Sequence, residues 1–351
     1  MSWVESLVRP EIVALRPYEH AVWDPELTRL HANELPWRVP GDYSRSGLNR
    51  YPEPQPRVLI RGLADLYSVA QDSVLVGRGS DEAIDWLVRA FCRAGQDAVL
   101  ICPPTFGMYA VAAQIQGARI INVPLRIGEG FALDAAAILE HCSPAVKLVF
   151  LCSPNNPTGN LLATDAILRI ASALANRALV VVDEAYLEFA AYESIARHLP
   201  QYPNLCSLRT LSKAHGLAGA RCGTLIADSQ VIAVVKKLIP PYAVSQLTLE
   251  AVMKLLAPEQ VAGMRERARC LRAERERVAL ELARLTCVRR VWPSKTNFIL
   301  AEFKDAAQAL ERAVAAQLLV RDARSYLGLT EALRITIGTA AQNERLLRAW
   351  S

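Results

Sequence analysis

Between residues 74 and 227 the chain alternates short, continuously apolar runs with longer stretches whose apolar residues recur at helical spacing. The runs fall at 74–76, 98–102, 119–123, 147–152, 178–182, 205–208 and 223–227, and most are rich in Val, Ile and Leu. Such runs predict strands buried on both faces of a sheet. Helical periodicity fills most of the gaps, at 80–92, 106–116 and 164–176. That alternation predicts an α/β fold with a mostly parallel sheet flanked by helices.

Two regions break the rhythm. Residues 1–45 are rich in Pro, Trp and Arg, with little periodicity, and read as an extended arm carrying one short helix. Around Ile239-Pro240-Pro241 the alternation stops. A charged amphipathic stretch at 258–285 then predicts one long helix, and runs at 288–292, 297–303 and 332–337 predict strands mixed with helices. The expected organisation is an arm (1–45), a large α/β domain (46–240) and a smaller α+β domain (241–351). There is no internal repeat and no low-complexity tract.

Composition narrows the possible functions. A chain of 351 residues that is 52% apolar can bury a large core. The net charge of +5 is spread along the sequence and mildly favours anionic small molecules. Its densest basic stretch, 265–284, interleaves arginines with Glu266, Glu274, Glu276 and Glu281, the pattern of a solvated helix face and not of a nucleic-acid surface. No apolar run approaches the roughly 18 residues of a membrane helix, and the first residues lack the layout of a signal peptide. The eight cysteines have no metal-site or redox spacing and read as buried free thiols in a reducing compartment. A soluble cytoplasmic protein with no metal, nucleic-acid partner or membrane partner is expected.

Ligands of open α/β sheets sit at the carboxyl ends of the strands, and polar clusters occupy those ends here. After the first run comes Gly77-Arg78-Gly79-Ser80-Asp81-Glu82, where small residues opening a helix would offer bare N–H groups to a phosphate. A serine cap with acidic residues in the first turn is the plainer alternative. Ser153-Pro154-Asn155-Asn156-Pro157-Thr158-Gly159 is either a tight turn or a means of presenting the Asn156 amide to a ring hydroxyl. Asp183-Glu184-Ala185-Tyr186 sets a carboxylate at the end of an apolar strand, where it needs a cationic partner such as a protonated pyridine nitrogen, or else acts as a helix cap. Tyr186 would donate to an oxygen of the same ring. Tyr109, in Pro103-Pro104-Thr105-Phe106-Gly107-Met108-Tyr109, either stacks on that ring or belongs to the core. Thr210-Leu211-Ser212-Lys213-Ala214-His215-Gly216-Leu217-Ala218-Gly219-Ala220-Arg221 puts a lysine beside two hydroxyls and an arginine. A phosphorylated aldehyde held over an amine needs that company, though a polar loop has it too.

Together these segments resemble the fold-type I pyridoxal-phosphate aminotransferases, and within them the histidinol-phosphate aminotransferases. The likeness runs from about Arg16 to Gly338 and includes Asn49-Arg50-Tyr51-Pro52-Glu53-Pro54-Gln55-Pro56, Leu319-Val320-Arg321-Asp322 and Leu333-Arg334-Ile335-Thr336-Ile337-Gly338. It implies pyridoxal 5'-phosphate as cofactor and amino transfer between L-glutamate and imidazole-acetol phosphate in histidine biosynthesis. By the same resemblance Lys213 is the Schiff-base lysine and proton carrier, and Asp183 the pyridine-nitrogen partner. Asn156 and Tyr186 meet the ring oxygen, and Tyr109 stacks on the ring. Ser80, Asp81, Thr210, Ser212 and Arg221 cradle the phosphate. Tyr51 implies a homodimer, since its counterpart reaches the phosphate bound by the neighbouring subunit. Arg334 implies a grip on the glutamate carboxylate, and Tyr18, Asn33 and Arg321 contact substrate, Arg321 holding its phosphate.

The chain departs from the family at His31-Ala32-Asn33-Glu34-Leu35-Pro36, where Asn-Glu-Asn-Pro is frequent, and at His215, where an apolar or aromatic residue is usual; His215 reads as a packing variant. Arg324 competes with Arg321 for the substrate phosphate. An aromatic aminotransferase and a phosphothreonine-type decarboxylase are the rival readings. A nicotinamide-dependent dehydrogenase is disfavoured because Gly77-x-Gly79 lacks the third glycine of that fingerprint.

Overall fold

The computed structural model describes residues 2–24 and 26–351. A seven-stranded sheet contains β1 (Val74–Gly77), β2 (Ala98–Ile101), β3 (Arg119–Asn122), β4 (Val146–Cys152), β5 (Leu179–Asp183), β6 (Leu205–Thr210) and β7 (Gly223–Ala227). Their order is β1-β7-β6-β5-β4-β2-β3, and β7 alone in this sheet runs antiparallel to its neighbours, β1 and β6. Around it lie α2 (Arg57–Tyr67), α3 (Ser80–Phe91), α4 (Met108–Gln116), α5 (Ala135–His141), α6 (Thr164–Ala173) and α7 (Ser229–Lys236), while the short α1 (Pro10–Val13) belongs to the arm. The fold expected from the apolar rhythm is therefore present, and the predicted strands differ from the observed ones by a residue or two at their ends.

Side-chain alternation explains why those strands are apolar throughout. Leu148 and Phe150 of β4, with Leu179 and Val181 of β5, pack on one face against Ala83, Leu87 and Phe91 of α3. Val149 and Leu151, with Val180 and Val182, pack on the other face against Ile167 and Ile170 of α6. Burying each large aliphatic or aromatic chain is worth about 1.5–3 kcal/mol, so a polar residue on either face would be costly.

A second, four-stranded antiparallel sheet follows, ordered β10-β11-β9-β8, from β8 (Val288–Val291), β9 (Phe298–Phe303), β10 (Arg321–Asp322) and β11 (Ala332–Thr336). With α10 (Ala306–Ala315) and α11 (Ala340–Trp350) it encloses Ile299, Phe303, Leu333, Ile335 and Trp350. The 27-residue α9 (Pro258–Arg284) joins the two units. Met264 and Ala268 near its start pack with Tyr186 and Phe298, and Val278 and Leu282 near its end enter the small core. The helix before it, α8 (Gln246–Leu255), buries Val252 with Leu59 and Leu63 of α2. By packing it goes with the large unit, so a boundary at 240/241 falls one helix too early. Proline pairs interrupt periodicity without marking which core the next helix joins.

Among the described residues no helix is long and apolar enough to cross a membrane, and no cluster of three or more His, Cys, Asp or Glu is placed to hold a metal. All eight cysteines are free and six are buried; Cys270, exposed on α9, and the half-buried Cys287 depart from that expectation.

Candidate active site

The carboxyl ends of β1, β4, β5 and β6 and the start of β7 share one edge of the large sheet. Register brings Cys152 beside Asp183, and Gly223 beside both Gly77 and Thr210. A cleft of about 500 Å³ opens at this edge, with Arg321, Tyr326 and Arg334 of the small unit closing its far side.

One end of the cleft gathers groups that suit an anion. Gly79, at φ 106°, precedes α3, and no side chain caps the helix. Ser80 is thus a first-turn residue and not the cap, which leaves N–H groups and the positive helix end facing the cleft. Thr210 and Ser212 place their hydroxyls 3.0 Å apart. Arg221, at φ 53°, donates to Ala218 O at 3.1 Å and Arg78 O at 3.2 Å, and approaches the Asp81 carboxylate at 3.5 Å. Gly223 fixes how closely β7 meets α3: a Cβ there would lie 2.2 Å from the carbonyl carbon of Gly79.

At the floor Asp183 is buried, its Oδ1 accepting from the Ala185 N–H at 3.1 Å and its Oδ2 from the Tyr109 hydroxyl at 2.9 Å. Burial raises its carboxyl, the Tyr109 bond draws it back, and the balance stands at about 6. Tyr186 is buried edge-on to Phe298, and the Lys213 Nζ lies 5.6 Å from the centre of the Tyr186 ring. Desolvation lowers the Lys213 amine below its ordinary range, and the positive charge of Arg334 adds to this. The two asparagines of the β4 turn have separate tasks. Asn155 donates to Pro104 O at 2.9 Å and accepts from Thr105 at 3.0 Å, tying two loops together. Asn156 faces the cleft, and its Oδ1 accepts from Arg334 Nη1 at 2.5 Å.

Arg321 of β10 pairs directly with Arg334 of β11 across the strands. Two like charges opposed in register oppose folding by about 0.2–1 kcal/mol, a cost that an anion bound between them would relieve. The Arg334 Nε is buried with no partner. Arg324 is committed elsewhere, donating to Asp322 at 2.8 Å and 3.0 Å. Of the two candidates in that loop, Arg321 lines the cleft.

Tyr109 requires a correction. It is fully buried and stacks on Phe150 with ring centres 4.9 Å apart and planes at 4°, so it presents no face to the cleft. Phe106, three residues earlier at the turn into α4, lines the cleft instead. The available signal was the Pro-Pro-Thr turn, which puts the next aromatic at the strand's carboxyl end; Tyr109 is already the second residue of α4. Tyr326, also on the cleft wall, carried no sequence signal beyond its nearness to Arg321.

Tyr18, Asn33 and Tyr51 do not line the cleft of their own chain. Tyr18 is 70% exposed beside His20. Asn33 is exposed at φ 56°. Tyr51 is half exposed and stacks on Tyr242 at 4.5 Å. Glu34 orders this segment by accepting from Arg50 at 2.9 Å and from the Tyr51 N–H at 2.7 Å. His215 is buried against a separate cavity of about 370 Å³ that Glu188 and Arg209 also line, and both of its ring nitrogens lack partners.

Residues 31–349 match the family described as aminotransferase class I and II. A histidinol-phosphate aminotransferase of Stenotrophomonas maltophilia (strain R551-3) is 47% identical over 99% of this chain and 96% of its own length. The crystal structure of histidinol-phosphate aminotransferase from Sinorhizobium meliloti in complex with pyridoxal-5'-phosphate superposes with a TM-score of 0.76 at 25% identity, covering 86% of this chain and 82% of that one. The L-threonine-O-3-phosphate decarboxylase of Porphyromonas gingivalis has a TM-score of 0.73 at 28% identity, covering 86% and 92%. A match over nearly the whole length, with the lysine turn, the buried aspartate and the paired arginines on one cleft, makes the chain a member of the class I and II aminotransferases, within the group of histidinol-phosphate aminotransferases.

Proposed function

We propose that this enzyme transfers an amino group between L-glutamate/2-oxoglutarate and imidazole-acetol phosphate/L-histidinol phosphate, using pyridoxal 5'-phosphate, as a step of histidine biosynthesis. The donor set fits that cofactor. Its phosphate suits the uncapped start of α3 at Ser80 and Asp81 with the Thr210, Ser212 and Arg221 side chains. Its ring nitrogen suits Asp183, its ring oxygen suits Asn156 and Tyr186, and its aldehyde suits Lys213. When bound, the cofactor supplies an electron-withdrawing ring that makes the substrate's α-proton acidic.

Each protein group then has a task that its surroundings support. Lys213, with its amine lowered by burial and by Arg334, is the group that would take the α-proton at Nζ and return it to the adjoining carbon. Asp183 would hold the ring nitrogen, its negative charge favouring the protonated form of that nitrogen. Phe106, on the cleft wall, would pack against the ring. Arg334 and Arg321 bind the substrate anions, a carboxylate in one half-reaction and a phosphate in the other, which suits two permanently charged, bidentate donors.

The observation that carries this reading is the Arg321–Arg334 cross-strand pair on the same cleft as Lys213. The test is the visible spectrum of the purified holoenzyme titrated with L-histidinol phosphate, with L-phenylalanine and with O-phospho-L-threonine. Bleaching at the lowest concentration by histidinol phosphate, with stoichiometric keto product, is expected. Carbon dioxide release from O-phosphothreonine, or a better specificity ratio for phenylalanine, would replace it with the decarboxylase or the aromatic reading.

A homodimer with shared sites is part of the proposal. Tyr51 does not line its own cleft, and the arm leaves Leu30 at 93% and Tyr43 at 97% exposed, apolar surface that a second copy would cover. The proposed domains are the arm 1–45, a large unit from 46 and a small unit built on α9 and the second sheet. Eight free thiols support the cytoplasm as its location.

A further inference from the structure

We infer that Tyr109 is a positioning residue: its buried hydroxyl holds the Asp183 carboxylate in the orientation that meets the pyridine nitrogen. The inference rests on the cofactor reading above and assigns Tyr109 a task different from ring stacking.

Four observations carry it. The Tyr109 hydroxyl donates to Asp183 Oδ2 at 2.9 Å, with both residues buried. The backbone N–H of Ala185 occupies Oδ1, so each carboxylate oxygen has one protein donor and the plane of the group is fixed from two sides. The Tyr109 ring is clamped parallel to Phe150 and edge-on to Phe106, with centroids 4.9 and 5.7 Å away, which denies the hydroxyl another rotamer. Phe106 itself lines the cleft, so one short helical segment supplies both a wall residue and the prop behind the floor. Of the charged groups near Asp183, Asp81 is acidic and Lys213 basic; Cys152 lies beside it on β4 with its thiol pushed well up by burial. Such a carboxylate tends to take a proton and turn neutral, and a neutral Asp183 would lose its hold on a pyridinium. A hydroxyl that can only donate to it counters that drift without adding charge.

The test is Tyr109→Phe in the full-length enzyme, a change that retains the ring and its stacking. Cofactor affinity of the apoenzyme and the pH titration of the bound cofactor's visible absorbance are measured, beside kcat and KM. Loss of a hydrogen bond to a charged group predicts about 10-fold weaker cofactor binding. It also predicts a displaced absorbance titration, and a fall in kcat with KM for histidinol phosphate little changed. The same substitution in an Asp183→Asn background should have less than half that effect, because a neutral amide no longer needs holding in its ionised form. Unchanged cofactor affinity and titration in Tyr109→Phe would overturn the inference, as would fully additive losses in the double variant. Failure of wild type to bind pyridoxal phosphate at all would instead overturn the cofactor reading.

Discussion

Replacing Arg321 by Gln removes one of two arginines paired in register across β10 and β11. A hydrogen bond to a charged partner is worth about 1.5–3 kcal/mol. Arg321 is exposed at the cleft mouth, where solvent screens it, so the lower end applies. At about 1.4 kcal/mol per decade, kcat/KM for histidinol phosphate should fall about 10-fold. The glutamate half-reaction, assigned to Arg334, should fall less than about 3-fold. Stability should move the other way, because relief of the like-charge pair returns about 0.2–1 kcal/mol. The assay is steady-state kinetics of both half-reactions with a melting curve on the same preparation. Equal losses for both substrates would refute the phosphate assignment, and a lowered Tm would show that damage to the small sheet and not lost recognition is responsible. Arg324→Gln, whose guanidinium is spent on Asp322, is the control and should leave both half-reactions near wild type.

Three further outcomes are expected. Lys213→Ala should retain the fold and abolish transamination; turnover at the wild-type rate would remove Lys213 from the mechanism. His215→Phe should raise Tm, since it replaces an unpartnered buried imidazole by a ring that needs no partner, a gain of about 1 kcal/mol. Burial holds the His215 pKa below its ordinary value, so the unfolded chain binds the extra proton and wild-type stability drops as pH falls below about 6.5. Denaturation series at several pH values should show that slope reduced in His215→Phe, and identical slopes would mean His215 is not its source. Gly223→Ala should abolish cofactor retention or folding, because its Cβ meets the backbone of Gly79 and Ser80; a fully loaded variant would show that β7 can move away from α3.

Strand ends were legible wherever polar residues follow a buried apolar run. Asp183, Asn156 and the Lys213 turn lie where the sequence places them, because a carboxylate or amide directly after such a run has nowhere to go but the sheet's edge. Tyr109 was misplaced for an equally physical reason: local sequence cannot say which of two aromatics three residues apart faces out when the helix start between them is set by tertiary packing. The packing of α8 was hidden likewise, since Val252 gives the same apolar signal whichever core receives it. The pairing of Arg321 with Arg334 is a matter of register between segments distant in the chain, so neither segment alone reveals that the two are neighbours.

That pairing divides labour between the two sheets. On the proposed reading, the groups that handle protons sit on the large sheet and on the turn leaving β6, whereas those proposed to distinguish one substrate anion from another sit on two adjacent strands of the small one. Changes confined to β10 and β11 could therefore retune which acid or phosphate ester is accepted while leaving the proton-transfer apparatus intact. The bond from Arg334 to Asn156 limits that freedom, because it ties the proposed substrate arginine to the proposed cofactor wall. Position 334 should resist exchange, and position 321 is where new substrate preference would arise first.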